Sequence, residues 1–203
     1  MLTLFHAPWS RSSRIVWLLE EIGAAYDIRE VDIYRAMTGT GARDAANPHP
    51  DGKVPALRHD DVLVTESAAV ALYLTDLHPE ANLGAPVGSP ERGAYLTWLA
   101  WTAGEMEPAF WGKINGEIET DPNAKARYEA AVTRLIGALE TGPYLMGERF
   151  TAVDVMIGSA LAWGREHVPE SKLIDAYVER VSARPANARA AAKDGTPPVG
   201  AGL

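Results

Sequence analysis

Apolar residues in the first eighty positions come as short runs and two helical stripes, whereas beyond residue 90 they recur only with helical period. Leu2 to His6 is a short run stopped by Ala7-Pro8, the pattern of a buried strand. After the polar stretch Trp9 to Ser13, Ile15, Leu18, Leu19 and Ile22 fall at i, i+3, i+4 and i+7, one face of a helix that Gly23 ends. Tyr26 to Ile33 alternates apolar and charged residues, which predicts a second strand, parallel to the first through a βαβ crossover. Arg35 to Asn47 is weakly patterned and reads as a short irregular helix. Val54 to Arg58, the turn His59-Asp60-Asp61 and Val62 to Val64 predict a hairpin. Thr65 then suits an N-cap, opening a helix that turns Ala69, Leu72, Tyr73 and Leu77 inward and ends at His78-Pro79.

From Pro79 to Pro90 the chain is rich in Pro, Gly and Ala and reads as a linker. Helical segments follow at about Pro90–Gly116, Pro122–Leu139, Ala152–His167 and Glu170–Ala183. Lys193 to Leu203, with three glycines and two prolines, predicts an extended or disordered tail. The expected fold class is therefore an α/β N-terminal domain over 1–80, a linker at 81–89 and an all-α domain over 90–203.

Composition narrows the chemistry. A net charge of −8 argues against nucleic acid, which needs clustered Lys and Arg. With no cysteine, disulfides and a CxxC motif are excluded, and any thiol must come with a substrate. The N-terminus lacks the pattern of a signal peptide, and no apolar run reaches the roughly 18 residues of a membrane span. A soluble cytoplasmic protein is expected.

Four segments carry the candidate chemistry: LFHAPWSRSSRIVWLLEEIG, NPHPDGKVPAL, VTESAAVALYL and GERFTAVDV. In the first, Ser10, Ser12 and Ser13 sit where a strand delivers the chain to a helix N-terminus, whose free N–H groups and dipole favour an anion such as a thiolate. A free thiol ionises near pH 8.5, so lowering that by about two units needs roughly 2.7 kcal/mol, within reach of one hydroxyl bond plus a helix end. Arg11 and Arg14 could meet substrate carboxylates or only solvate the helix start.

In order and spacing these segments resemble the cytosolic glutathione transferase family over nearly the whole chain, with a thioredoxin-like first domain and a helical second domain. The resemblance implies a serine-type site, since cysteine is absent and no tyrosine occurs between Leu2 and Gly23. Ser10, two residues after Pro8, is the first choice for contact with the glutathione sulfur, and Ser12 the second; Ser13 reads as a helix cap. It further implies a cis Val54-Pro55 bond, with Val54 bonding the glutathione backbone as an added strand would. Lys53 and His49 are candidates for the glycyl carboxylate, Glu66 for the γ-glutamyl ammonium and Ser67 for the carboxylate beside it. Thr151 and Asp154 resemble the family's capping motif and carry no chemistry, while Phe110 and Trp111 are candidates for the second-substrate pocket.

The implied activity is attack of an enzyme-bound glutathione thiolate on a hydrophobic electrophile, by a homodimer that uses glutathione as co-substrate and no metal. A glutathione-dependent peroxidase or disulfide reductase, a non-catalytic ligand-binding member and a structural scaffold are the alternatives. Intact Ser10, Pro55, Glu66 and Ser67 argue against the scaffold.

Overall fold

The structure, a computed structural model, describes residues 1–196, and its chain divides into two compact units. The first runs from Met1 to Ala81 and regains the chain at Arg184; the second is Asn82–Ala183.

In the first unit, β1 (Leu2–His6) leads through α1 (Ser13–Ile22) to β2 (Tyr26–Glu30), which pairs parallel to β1 with Leu2 opposite Tyr26 and His6 opposite Glu30. The hairpin β3 (Ala56–His59) and β4 (Val62–Thr65) joins antiparallel, giving the order β2-β1-β3-β4. Gly23 ends α1 in the left-handed conformation at φ 73°, and its N–H donates to the Leu19 carbonyl. Leu4, Ile15, Val16, Leu18, Leu19, Leu57 and Leu74 are fully buried between sheet and helices. Phe5, Ala7, Val31, Val54 and Ala56 form a separate buried cluster.

Several local expectations are corrected. Strand β2 stops at Glu30, because its partner β1 ends at His6, and the Val31 N–H takes the His6 carbonyl as the chain leaves the sheet. Arg35 to Asn47 forms no helix; it carries a turn closed by the Arg35–Thr40 bridge, with Gly39 and Gly41 at positive φ. Thr65 belongs to β4, and Glu66 takes the N-cap position of α2 (Ser67–Leu77). Helix α2 buries Val70, Ala71, Leu74 and Thr75, while Ala69 and Leu77 are exposed and Leu72 and Tyr73 are half-buried. It is apolar nearly all round, so its pattern does not select a face.

In the second unit, α3 (Arg92–Trp101) runs through a π-helical turn (Thr102–Met106) into α4 (Glu107–Ile114), where a single helix was expected. Helices α5 (Pro122–Leu139), α6 (Ala152–Trp163) and α7 (Lys172–Ser182) follow. Among the described residues none of these helices is long and apolar enough to cross a membrane. The expected linker is partly built into this unit: Leu83 and Ala85 are buried, and the Arg149 guanidinium donates to the Asn82 and Gly84 carbonyls.

The largest correction concerns the C-terminus. A further helix, α8 (Pro185–Asp194), packs on α1 in the first unit and does not extend the helical domain. Arg184 is extended and Pro185 occupies the first turn, so α7 cannot continue through them. Ala186 and Ala190, one turn apart, are buried, and Arg184, Arg189 and Lys193 pair with Glu21 and Glu20 of α1. Lys193 and Asp194 are thus helical; positions 197–203 of the expected tail lie outside the described residues.

Candidate active site

Strand pairing brings three of the four sequence segments to one end of the sheet. Because β3 is antiparallel to β1, its first residue Ala56 lies opposite Phe5, near the end of β1. Thr65, the last residue of β4, lies opposite Ala56 in turn. The loop Ala7–Ser12, the Val54-Pro55 step and the Glu66-Ser67 step therefore emerge together. Val54-Pro55 is cis, as expected, and Val54 is buried just ahead of β3.

The serine loop is tightly bonded. The half-buried Ser10 hydroxyl donates to the Ala7 carbonyl at 2.6 Å, and its oxygen accepts the Ser12 N–H at 3.2 Å. The Ser12 hydroxyl is fully buried: it lies 2.8 Å from both Ser10 Oγ and His6 Nδ1 and accepts the Ala7 N–H at 3.2 Å. Such an oxygen has no face left for a ligand, which sets Ser12 apart from Ser10. Ser13 opens α1, and its hydroxyl donates to Asp194 Oδ1 at 2.9 Å while accepting the Ser10 N–H at 3.2 Å.

Four residues that sequence reasoning missed, Trp9, Arg35, His6 and Asp194, hold this loop. Trp9 sits at φ 56°, an uncommon conformation for a side-chain-bearing residue. Its N–H donates to Asp194 Oδ1 at 3.2 Å and its indole N–H to the Gly195 carbonyl at 3.2 Å. Arg35 donates to the Pro8 and Trp9 carbonyls at 2.7 and 3.1 Å. Beneath the loop, fully buried His6 faces Ser12 on one side and Asp194 on the other, its Nε2 lying 3.1 Å from Asp194 Oδ1. No local motif signals Arg35 or Asp194, because each reaches the loop through tertiary packing.

At the second edge of the site, Lys53 is exposed and its carbonyl accepts from the Asn47 side chain. His49, by contrast, is buried within its turn, where Nδ1 accepts the Asp51 N–H at 3.0 Å and its own N–H donates to Asn47 Oδ1. His49 therefore shapes the loop that presents Lys53. At the third edge, Glu66 is exposed at φ 68° and Ser67 is half-buried as the first residue of α2. No side chain caps this helix, and its first ladder bond runs from the Val70 N–H to the Glu66 carbonyl. The N–H groups of Ser67, Ala68 and Ala69 precede that bond and point at whatever lies before the helix.

In the helical unit Phe110 is a core residue, buried with its ring 5.8 Å from Tyr128, contrary to its choice as a pocket residue. Its position on the inner face of α4 decides this, since Ala109 and Gly112 beside it are buried too. Trp111 is half-buried, its ring 5.6 Å from that of Trp163 and tilted 49° to it, and Trp163 is 42% exposed. Thr151 and Asp154 form the expected capping box: the buried carboxylate accepts from the Thr151 and Leu145 N–H groups and the Tyr177 hydroxyl. Burial pushes the Asp154 carboxyl up, and these donors pull it back part of the way.

Residues 1–76 match the family model for the glutathione S-transferase N-terminal domain, and residues 99–185 match that for the C-terminal domain. Glutathione S-transferase GstA of Escherichia coli O157:H7 is 30% identical over 194 residues, covering 90% of this chain and 93% of the relative. The disulfide-bond oxidoreductase YfcG of Escherichia coli K12 is 27% identical over 210 residues and covers 95% of each chain. Among solved structures, a glutathione transferase from Methylococcus capsulatus superposes with a TM-score of 0.77 at 33% identity, over 96% of this chain and 99% of that one. The chain belongs to the glutathione S-transferase family.

Proposed function

We propose that this protein binds glutathione at the end of the sheet where β1 stops, β3 starts and β4 passes into α2, and activates its thiol for attack on a hydrophobic electrophile. The observation that supports this is the meeting of the Ser10 loop, Val54-Pro55 and Glu66-Ser67 at that end. Glutathione is extended, with charges at both ends and a thiol between them. Val54 bonds its cysteinyl backbone, Glu66 accepts from the γ-glutamyl ammonium, and Ser67 with the free N–H groups of α2 takes the adjacent carboxylate. Lys53 meets the glycyl carboxylate. Ser10 donates to the sulfur at the N-terminus of α1, so that thiolate is favoured over thiol. In the helical unit the partly exposed pair Trp111 and Trp163 offers apolar surface for the electrophile.

A second reading, glutathione-dependent disulfide reduction, is favoured by the likeness to YfcG. Here too the chain has no cysteine of its own, so glutathione supplies the thiols. The protein acts as a cytoplasmic C2 dimer in either case, and sedimentation should give twice 21.9 kDa.

The test is calorimetric titration with glutathione, followed by turnover on electrophiles, peroxides and mixed disulfides. Conjugation without disulfide reduction supports the first reading, and the converse supports the second. Binding without any turnover would make the protein a ligand-binding member of the family, and absence of glutathione binding would refute both.

A further inference from the structure

We propose that the buried pair His6–Asp194 is the acceptor for the glutathione thiol proton, reached through the hydroxyls of Ser12 and Ser10. This rests on the reading above that Ser10 faces the sulfur. Four groups stand in series: Ser10 Oγ lies 2.8 Å from Ser12 Oγ, Ser12 Oγ lies 2.8 Å from His6 Nδ1, and His6 Nε2 lies 3.1 Å from Asp194 Oδ1. Only Ser10 is half-buried; Ser12 and His6 are fully buried and the Asp194 side chain is 8% exposed. The series thus leads from the mouth of the site to a dry carboxylate on α8. A hydroxyl, an imidazole and a carboxylate in line are the parts from which general-base relays are made.

The contact between Nε2 and Asp194 is at ion-pair distance but off the axis of a hydrogen bond. Its worth is therefore mainly Coulombic and is greatest when the ring is charged. Other groups around His6 do not compete for that role. Glu30, its register partner on β2, is exposed, and the Trp9 N–H and Ser13 hydroxyl that share Asp194 Oδ1 are neutral donors.

The step balances. The S–H bond of glutathione breaks, its electron pair stays on sulfur, and Ser10 Oγ takes the proton. The proton of Ser10 passes to Ser12 Oγ and that of Ser12 to His6 Nδ1, leaving thiolate and an imidazolium beside the Asp194 carboxylate. The Ser10 hydrogen that donates to the Ala7 carbonyl in the free loop is redirected in this step. Every donor now points outward: His6 Nδ1–H to Ser12, Ser12 O–H to Ser10, and Ser10 O–H to sulfur. Accepting the proton and solvating the anion are one event, and the reverse order returns the proton to the site. His6 and Asp194 touch neither substrate nor sulfur, so they are positioning residues that act through the two serines.

The experiment is glutathione titration by calorimetry in two buffers of different ionisation enthalpy, with the thiolate read by its ultraviolet absorbance in the same samples. The wild type should form thiolate while releasing well under one proton per thiolate to the buffer. Asp194→Asn keeps an amide oxygen for the Trp9 N–H and Ser13 hydroxyl but removes the charge. It should bind glutathione within about two-fold of wild type, while its thiolate fraction below the bound pKa falls about tenfold. Whatever thiolate that variant forms should appear with one proton in the buffer. Asp194→Ala, which loses the loop acceptor as well, should also lose affinity. His6→Gln should repeat the Asn result, and because it alters a buried ring, Asp194→Asn carries the test if it does not fold. A wild type that releases one proton per thiolate overturns the proposal, as does an Asp194→Asn protein whose thiolate fraction is unchanged. Failure of wild type to bind glutathione would overturn the underlying functional reading, a result distinct from either.

Discussion

Helix α8 is held to α1 by two ion-pair groups whose burial differs, which allows the worth of each to be worked out in advance. Arg184 approaches Glu21 as a fork, with Nε 2.6 Å from Oε1 and Nη2 2.7 Å from Oε2. The Glu21 side chain is only 7% exposed, and Trp17 Nε1 donates to it as well at 2.9 Å. Arg184→Leu removes both charge-assisted bonds and leaves a carboxylate that water reaches poorly. Breaking a fully buried pair costs about 3–5 kcal/mol, and because Arg184 itself is 31% exposed the expected loss here is about 2–3 kcal/mol. Arg189, 53% exposed and sharing Glu20 with Lys193, gives the contrast: its Leu variant should cost about 0.5 kcal/mol. Both variants are compared by the midpoint of chemical unfolding, and a cycle with Glu21→Gln should return a coupling of about 1–2 kcal/mol for the Arg184 pair. Equal losses at Arg184 and Arg189, or a coupling within error of zero, would refute the reasoning from burial.

Three further outcomes are expected. Burial alone would raise the Glu20 carboxyl, but hydrogen bonds from Lys193, Arg189 and Tyr26 outweigh it and hold the group down at about 2, below its ordinary 4.5. Its stabilising effect is therefore complete above about pH 4.5 and lost as pH falls toward 2, so Glu20→Gln should lower the thermal midpoint at pH 7 and differ little from wild type near pH 2. Glu66→Ala should weaken glutathione binding by about 1.5–3 kcal/mol by calorimetry, the worth of one charge-assisted bond, with unchanged unfolding. Ser10→Ala should raise the pKa of the bound thiol by about one unit in ultraviolet titration, whereas Ser13→Ala should leave it in place.

Legibility in the sequence followed the range of the interaction responsible. Strand β1, helix α1 and the β3–β4 hairpin were readable because each is set by neighbours in the chain: a run stopped by Pro8, a stripe stopped by Gly23, and an acidic turn at Asp60-Asp61. Strand β2 was overextended because its end depends on where its partner stops, and β1 stops at His6. The inward face of α2 was misassigned since Ala69, Leu72, Tyr73 and Leu77 are as apolar as the buried Val70, Ala71 and Leu74. Only packing distinguishes them. Helix α8 was missed, because an Ala-rich segment with scattered basic residues shows no clear stripe. What fixes it is Glu20 and Glu21, some 160 residues earlier by the separations of their bonds.

The candidate site divides along the same line. Ser10, Val54-Pro55 and Glu66-Ser67 were chosen through the family resemblance, and each lies where a strand ends or begins. Spacing from Pro8 put Ser10 ahead of Ser12, and burial now distinguishes the half-buried hydroxyl from the enclosed one. That same burial is informative in the other direction. A serine excluded from the ligand, bonded at 2.8 Å to a fully buried histidine which itself faces a carboxylate 188 positions away, is not explained by helix capping. Capping needs one hydroxyl and one N–H, and the α1 N-cap residue Ser12 makes no such bond. The second row of the site is therefore completed by α8, which brings the Asp194 carboxylate beside His6.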